Sequence, residues 1–170
     1  MAVFMEVYLM ATLTIYSDHR RTLDGIIKYI ASNEEHNNAV CHYSANGVDP
    51  FRAARDMLDV KNCYGKLNGT EYLQIIVSLG EEEYESPEDL SRFIQAMTAL
   101  ADMMFVRYSC QIAWAIHGNT DNLHAHFIMN TVNYMNGSKF QIRKEELYNL
   151  KVIVSSILSE YGFSEILMYK

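Results

Sequence analysis

The sequence predicts an α+β domain in which helices pack on a central antiparallel sheet. Apolar runs rich in β-branched and aromatic residues predict strands, and apolar stripes at helical spacing predict helices. The two kinds of element mix without the strict β-α-β alternation that a parallel sheet requires. The chain has 170 residues, of which 49% are hydrophobic and 21% charged, so we predict a single globular domain over residues 1–170.

Four apolar runs are predicted as strands, at 3–16, 71–79, 108–116 and 123–132. The polar stretch 33–47 and the acidic stretch 81–85 are predicted as loops, and Asn136-Gly137 marks a turn. The chain also carries histidines at 19, 36 and 42, which lie in polar surroundings and are predicted to be surface residues.

Four helices are predicted from their capping residues and apolar stripes. Thr22 caps the first, whose stripe is Leu23, Ile26, Ile27 and Ile30. The second starts at Asp49-Pro50 and runs to about residue 64, and the third starts at Ser86-Pro87 and runs to about residue 105. The fourth covers about 144–161.

Charge and cysteine content restrict the class of protein. The net charge is −7, with 14 basic against 21 acidic residues, which argues against nonspecific coating of nucleic acid. The three cysteines form no CxxC pair, which favours a reducing compartment. The apolar start of the chain contains Glu6 and is too short to cross a bilayer. We therefore expect a cytoplasmic protein without membrane insertion.

The strongest chemical signal is a cluster of three histidines within ten residues, His117, His124 and His126. Residues two apart on a strand share a face, so His124 and His126 present adjacent imidazoles. A short turn through Asp121 brings His117 beside them. Three neutral imidazoles with open positions suit a divalent catalytic ion, and Asp121 is predicted to orient one ring from the second shell. An H-x-H pair alone is more often a pair of ordinary polar residues, but the third histidine strengthens the metal hypothesis.

The segment 117–140, HGNTDNLHAHFIMNTVNYMNGSKF, resembles the third motif of the relaxase/mobilization nuclease family of HUH endonucleases. That motif runs approximately H-x-D-T-D-H-L-H-x-H, then two hydrophobic residues, x-N-x-V-N, and finally x-x-x-G-K-x-[FY]. Asn130, Val132, Asn133 and Gly137 also match. Asn119 and Asn122 depart from the pattern, where aspartate and histidine are common. Neither is one of the three presumed ligands, so the departures bear on residues around the ion.

Weaker similarity extends the resemblance over roughly residues 12–160. Residues 21–30 resemble the first motif, a helix that carries the catalytic tyrosine, here Tyr29. Residues 72–78 resemble the second motif, whose serine, here Ser78, lies near the DNA backbone. Relaxases usually continue past this domain, so the resemblance leaves open whether the chain is a fragment or a minimal member.

The resemblance implies an HUH-endonuclease-like fold and a metal-dependent enzyme that nicks single-stranded DNA at an origin of transfer. The implied intermediate is a 5′-phosphotyrosine, and the implied role is to start transfer of a bacterial plasmid or mobile element. Mg²⁺ or Mn²⁺ is the expected ion, held by His117, His124 and His126, with Asn130 joining Asp121 in the second shell. Imidazole ligands would also accept Zn²⁺, Ni²⁺ or Co²⁺, so the sequence leaves the identity of the ion open. Accessory mobilization proteins are expected partners.

Tyr29 is the preferred nucleophile because it lies about a quarter-turn from the apolar stripe of its helix, where a hydroxyl can reach a substrate. On helix position alone, an ordinary border tyrosine is the better interpretation; the motif favours catalysis. Tyr148 is the alternative, since Tyr148-Asn-Leu-Lys151 reads as the Y-x-x-K of rolling-circle replication initiators and would also suit a single-tyrosine transposase.

Four residues are candidate DNA contacts, namely Ser78, Lys28, Lys139 and Arg143. Arg20 and Arg21, just before the Tyr29 helix, could contact DNA phosphates in the same way. Each is equally compatible with an ordinary turn residue or surface charge. A third function hypothesis is a catalytically silent module that binds DNA or a partner, which the acidic balance favours.

Overall fold

The structure is a computed structural model and describes residues 10–17, 20–33 and 39–168. In chain order, the strands among those residues are β1 Thr12–Tyr16, β2 Val40–Asn46, β3 Tyr72–Ser78, β4 Ile112–His117 and β5 His124–Asn130. The α-helices are α1 Leu23–Ala31, α2 Ala53–Cys63, α3 Pro87–Tyr108 and α4 Lys144–Glu160. A 3₁₀ turn, Pro50–Arg52, leads into α2.

The strands form one sheet in the order β1-β3-β5-β4-β2, and every neighbouring pair is antiparallel. This arrangement confirms the predicted α+β class with a central antiparallel sheet. The strand that ends at Ser78 and the strand that begins at His124 are neighbours near the centre, paired along their whole length. In the described part of the chain, no helix is long and apolar enough to cross a membrane.

Helices cover both faces of the sheet. On one face, α3 and α4 pack on alternate strand residues such as Ile75, Trp114 and Phe127. On the other face, α1 and α2 pack on Ala113, Ala115 and Ile128. We call these the α3/α4 face and the α1/α2 face. Since strand residues alternate between faces, His117, His124 and His126 share the α1/α2 face with Ala113, Ala115 and Ile128.

The structure corrects part of the predicted element map. Residues 40–46, predicted as a loop, form the edge strand β2, whose polar composition follows from having a neighbour on one side only. Tyr108 belongs to α3 instead of a strand. His42 is half-buried and its ring lies 4.8 Å from that of Trp114, so the prediction of a surface loop residue was wrong. Residues 3–9, His19 and His36 lie outside the described residues.

The predicted cap of the third helix is confirmed as a reciprocal capping box. The Ser86 hydroxyl accepts from the Asp89 backbone N–H at 3.3 Å, and the Asp89 carboxylate accepts from the Ser86 backbone N–H at 2.9 Å.

We expect Ser86→Ala to lower the free energy of unfolding by about 1 kcal/mol, because it leaves a helix N-terminal donor without its partner. Urea unfolding followed by circular dichroism measures this, with Ser91→Ala, on the exposed side of the same helix, as the control. Equal losses in the two variants would contradict the assigned cap.

Candidate metal centre and active site

Sheet register brings the three histidines together. His117, the last residue of β4, pairs directly with His124, the first residue of β5, and His126 follows two residues later on the same face. The ring centroids lie 5.5 Å apart for His117 and His124, 4.7 Å for His117 and His126, and 5.0 Å for His124 and His126. One ring nitrogen from each lies within 4.8 Å of the others.

Backbone carbonyls orient two of the rings. His117 Nε2 lies 2.8 Å from the carbonyl oxygen of Ile30, and His124 Nδ1 lies 3.1 Å from that of Asn122. A carbonyl oxygen can only accept, so each of these ring nitrogens carries the proton. The other nitrogen of each ring therefore keeps its lone pair for an ion, which is the usual way that proteins fix the tautomer of a ligating histidine.

His126 has the surroundings of a metal-ligating histidine. Its Nε2 is fully buried and has no hydrogen-bond partner among the described residues. Its Nδ1 lies 3.2 Å from the Gln74 side-chain amide. The Gln74 atom at this distance is the amide nitrogen, and amide nitrogen and oxygen are assigned from the hydrogen-bond network. In the flipped orientation, the Gln74 oxygen accepts a hydrogen bond from Nδ1–H, and the lone pair is on the buried Nε2. An orphaned nitrogen of this kind costs stability unless something binds it.

Burial keeps the His117 and His126 rings neutral and ready to bind a cation. Desolvation, followed by the proximity of His117 and His124, lowers the pKa of His126 to about 3. Desolvation also lowers the pKa of His117. Since a histidine must be neutral to coordinate a metal, the cluster suits a divalent ion without first losing protons at neutral pH. The donor set therefore fits the predicted metal site.

Acid should destabilise the metal-free protein. Below the ordinary histidine pKa of 6.5, the unfolded chain takes up a proton at His126, whereas the folded chain resists it down to about pH 3. The unfolded state thus binds more protons in this window, and the free energy of unfolding falls as pH falls, by about 2 kcal/mol between pH 8 and pH 5. Urea unfolding in the presence of a chelator, at pH 8 and at pH 5, measures this difference in the free energy of unfolding. His126→Gln should show a smaller difference, and an unchanged difference would contradict the assignment.

Helix α1 places Tyr29 against the histidines. The Tyr29 ring centroid lies 6.2 Å from that of His117 and 6.4 Å from that of His126, edge-on to both. The Arg21 guanidinium lies 4.7 Å above the Tyr29 ring, close enough for a cation–π interaction. The four stripe residues of α1 are buried as predicted, which turns Tyr29 to the border of the core.

Several contacts fix the start of α1. Thr22 caps the helix by accepting from the Gly25 N–H, as predicted. The Glu71 carboxylate accepts from the Leu23 N–H at 3.2 Å, and the Tyr72 hydroxyl donates to the Arg21 carbonyl at 3.0 Å. The buried Lys61 ammonium donates to the Glu71 carbonyl at 2.6 Å. The helix that carries Tyr29 is therefore tied to the beginning of β3.

Ser78 is brought to the cluster, but Asp121 does not have the predicted role. Ser78 pairs with His124 in the sheet and lines an open pocket of about 360 Å³ beside it. Asp121 is exposed in the turn, and no described hydrogen bond joins it to a ring. The prediction that Asp121 orients an imidazole was wrong because Ile30, Asn122 and Gln74 already occupy the outward ring nitrogens.

Asn130 is not beside the ion site. It lies four residues beyond His126 on β5, about 13 Å along the strand. Its buried amide donates to the Met57 carbonyl and the Gln111 side chain, so it joins β5 to α2 and β4. The predicted second-shell role for Asn130 is replaced by this structural one.

Lys139 and Lys28 are likewise engaged elsewhere. Lys139 forms an isolated antiparallel β-bridge with Val132, which lies six residues beyond His126, about 20 Å along the chain. The Lys139 ammonium donates to the Asn68 and Thr70 carbonyls. It therefore fastens a loop at the opposite end of the sheet. Lys28 is on the outer side of α1 and forms an ion pair with Asp24 at 2.7 Å.

Tyr148 and Arg143 lie on the wrong side of the sheet for the histidine cluster. Helix α4 packs on the α3/α4 face through Leu150, Val154 and Leu158. Tyr148 is 60% exposed on that helix, and Arg143 is at its start. The sheet separates both residues from the cluster, so the geometry opposes Tyr148 as the nucleophile and Arg143 as a contact near the ion.

Gln74 is the site residue that the sequence interpretation missed. It shares a sheet face with Ser78, four residues away on β3, and alternation along 72–78 could have placed both near the histidines. Only the strand register, which sets Ile76 opposite His126, shows that Gln74 is the residue that reaches the His126 ring.

A family model described as "Relaxase: MobA/VirD2-like, nuclease domain" matches residues 29–163. A curated protein of Staphylococcus aureus, Protein rlx, is 26% identical over 155 residues, which is 91% of this chain and 43% of rlx. The chain thus spans less than half the length of that relative.

Solved structures of the MobM relaxase domain bound to pMV158 oriT DNA have a similar fold. A manganese-bound complex at pH 6.8 aligns with a TM-score of 0.64 at 12% identity, covering 94% of this chain and 90% of that one. A complex with 26-nucleotide DNA aligns with a TM-score of 0.62 at 14% identity, covering 95% and 91%. At such identities the comparison establishes a shared fold.

Proposed function

Since the chain belongs to the relaxase family, as a MobA/VirD2-like nuclease domain, we propose that it nicks single-stranded DNA at an origin of transfer through a covalent 5′-phosphotyrosine on Tyr29. The observation that carries the proposal is the Tyr29 ring lying 6.2 and 6.4 Å from two histidines of a cluster with an orphaned buried nitrogen. The proposed nucleophile is thus beside the histidine cluster on one sheet face.

The chemistry is a transesterification. The Tyr29 oxygen attacks the scissile phosphorus, a P–O bond forms to the tyrosine, and the bond from phosphorus to the 3′ oxygen breaks. The phenol proton passes to solvent, and the departing 3′ oxygen takes one from solvent. One phosphodiester replaces another, so the strand can later be rejoined without an external energy source.

The residues of the site have different proposed roles. His117, His124 and His126 would hold the ion, with Gln74 and two backbone carbonyls orienting the rings. A divalent ion there, Mg²⁺ or Mn²⁺, would polarise the scissile phosphate and offset its developing charge. The MobM complexes carry manganese and oriT DNA, which supports both the ion and the substrate class. Ser78, which pairs with His124 in the sheet, would contact the DNA backbone.

The biological setting follows from the family. The nick would start transfer of a plasmid or other mobile element in the bacterial cytoplasm, with accessory mobilization proteins as partners. The rolling-circle alternative requires Tyr148, which the sheet separates from the histidines, so the geometry favours the relaxase reaction.

A covalent-trapping assay tests the proposal. The protein is incubated with Mn²⁺ and single-stranded DNA from the origin of its own element, and an SDS-stable adduct is mapped by mass spectrometry. We expect an adduct on Tyr29. Binding of both metal and DNA without any adduct would overturn the proposal and favour the silent binding module.

A further inference from the structure

A second pocket adjoins Tyr29. It has a volume of about 340 Å³ and its described lining residues include Tyr16, Arg20, Arg21, Tyr29, Tyr72 and Gln74. Tyr16 ends β1 and lies opposite Gln74 in the sheet, while Tyr29 comes from α1. Tyr29 and Gln74 each contact the histidine cluster as well, so the pocket and the ion site share walls.

The lining has the chemistry of a nucleotide site. The Tyr16 side chain is 48% exposed and offers an aromatic surface to a base. Arg20 and Arg21 contribute two guanidinium groups, which suit phosphate oxygens. The described lining contains no carboxylate, although the chain as a whole has a net charge of −7. Arg20 and Arg21 therefore bring two positive charges beside Tyr29.

Arg21 is held in position before any ligand arrives. Its carbonyl accepts from the buried Tyr72 hydroxyl at 3.0 Å, and its guanidinium rests 4.7 Å above the Tyr29 ring. The Glu71 carboxylate fixes the following helix turn through the Leu23 N–H. Because less side-chain freedom remains to be lost, binding at this pocket has a smaller entropic cost.

We propose that this pocket binds the nucleotide adjoining the scissile phosphate, with its base stacked on Tyr16 and its phosphate held by Arg20 and Arg21. The proposal rests on the proposed function, since it takes Tyr29 as the attacking residue. The pocket would then do two things. It would recognise one nucleotide of the single-stranded DNA, and it would place the scissile phosphate next to that nucleotide against the Tyr29 hydroxyl.

Paired changes in protein and DNA test the stacking. The 170-residue chain carrying Tyr29→Phe, which retains the ring but cannot cleave, is titrated with origin oligonucleotides that each have one abasic position. We expect Tyr16→Ala to weaken binding about ten-fold and Tyr16→Phe to retain it, as loss of one stacked base implies. An oligonucleotide with its abasic position next to the nick should show the same loss of affinity, about ten-fold. Tyr16→Ala should cause no further loss of affinity for that oligonucleotide.

Salt dependence tests the phosphate contacts. We expect Arg20→Gln and Arg21→Gln each to reduce the slope of log K against log salt by about 0.7, the value for one single-strand phosphate contact. Tyr148→Ala, an exposed tyrosine on the other face, is the matched control and should bind like the parent. Unchanged slopes, equal weakening by Tyr148→Ala, or additive losses at every abasic position would overturn the proposal.

The two proposals can fail separately. A covalent adduct on Tyr29 without coupling between Tyr16 and any abasic position would reject the pocket and keep the nicking activity. Coupling without an adduct from the protein that retains Tyr29 would support the pocket and reject the nicking activity.

Discussion

Tyr29→Phe is expected to abolish the covalent protein–DNA adduct, a decrease of at least about a thousand-fold in the rate of nicking, since it removes the proposed attacking oxygen. The substitution retains the ring that lies edge-on to His117 and His126 and beneath Arg21. Affinity for Mn²⁺ and the free energy of unfolding should therefore change little, which separates loss of chemistry from loss of structure.

Tyr148→Phe is the matched control for this result. Tyr148 is exposed on α4, across the sheet from the cluster, so its hydroxyl should be dispensable for cleavage. Single-turnover nicking of a labelled origin strand, quenched in SDS, measures both variants. Loss of the adduct in Tyr148→Phe together with its retention in Tyr29→Phe would assign the protein to the replication-initiator chemistry.

His126→Ala is expected to remove tight binding of Mn²⁺ and, with it, the nicking activity. His126 contributes the buried Nε2 that no described residue satisfies. Loss of a ligand should cost more affinity than the roughly 10- to 100-fold that loss of a supporting hydrogen bond costs. Gln74→Leu removes only the contact with Nδ1 and should fall within that smaller range.

Calorimetric titration with Mn²⁺ and the trapping assay together measure these effects. His42→Ala is the control, since the His42 ring packs at a tilt against Trp114 and lies outside the cluster. It should retain metal binding and nicking. Full nicking activity in a variant with both His124→Ala and His126→Ala would exclude the histidine cluster as the catalytic ion site.

The sequence was sufficient for the parts of the molecule that depend on local pattern. Helical spacing predicted the buried stripe of α1, and the Ser86 cap was visible from its neighbours. The spacing of His124 and His126 placed both rings on one face. The predicted fold class is confirmed by the sheet and by the likeness to the MobM relaxase domain.

What the sequence could not supply depends on contacts between distant segments. Gln74 reaches His126 only because β3 and β5 pair in one particular register, and that register is a property of the whole sheet. Asp121 was a reasonable choice for a ring partner, but backbone carbonyls took that role, and a carbonyl has no signature in the sequence. The side of the sheet on which α4 packs, which separates Tyr29 from Tyr148, is likewise a matter of topology.

The carbonyl of Ile30 has a wider consequence. It belongs to the last turn of α1, where carbonyls lack partners within the helix, and it accepts from His117. Tyr29 is the residue immediately before it. A local opening that frays this turn would therefore free the His117 ring from the contact that fixes its tautomer and displace Tyr29, the proposed nucleophile, in the same event. The end of α1 thus couples the orientation of His117 to the position of Tyr29.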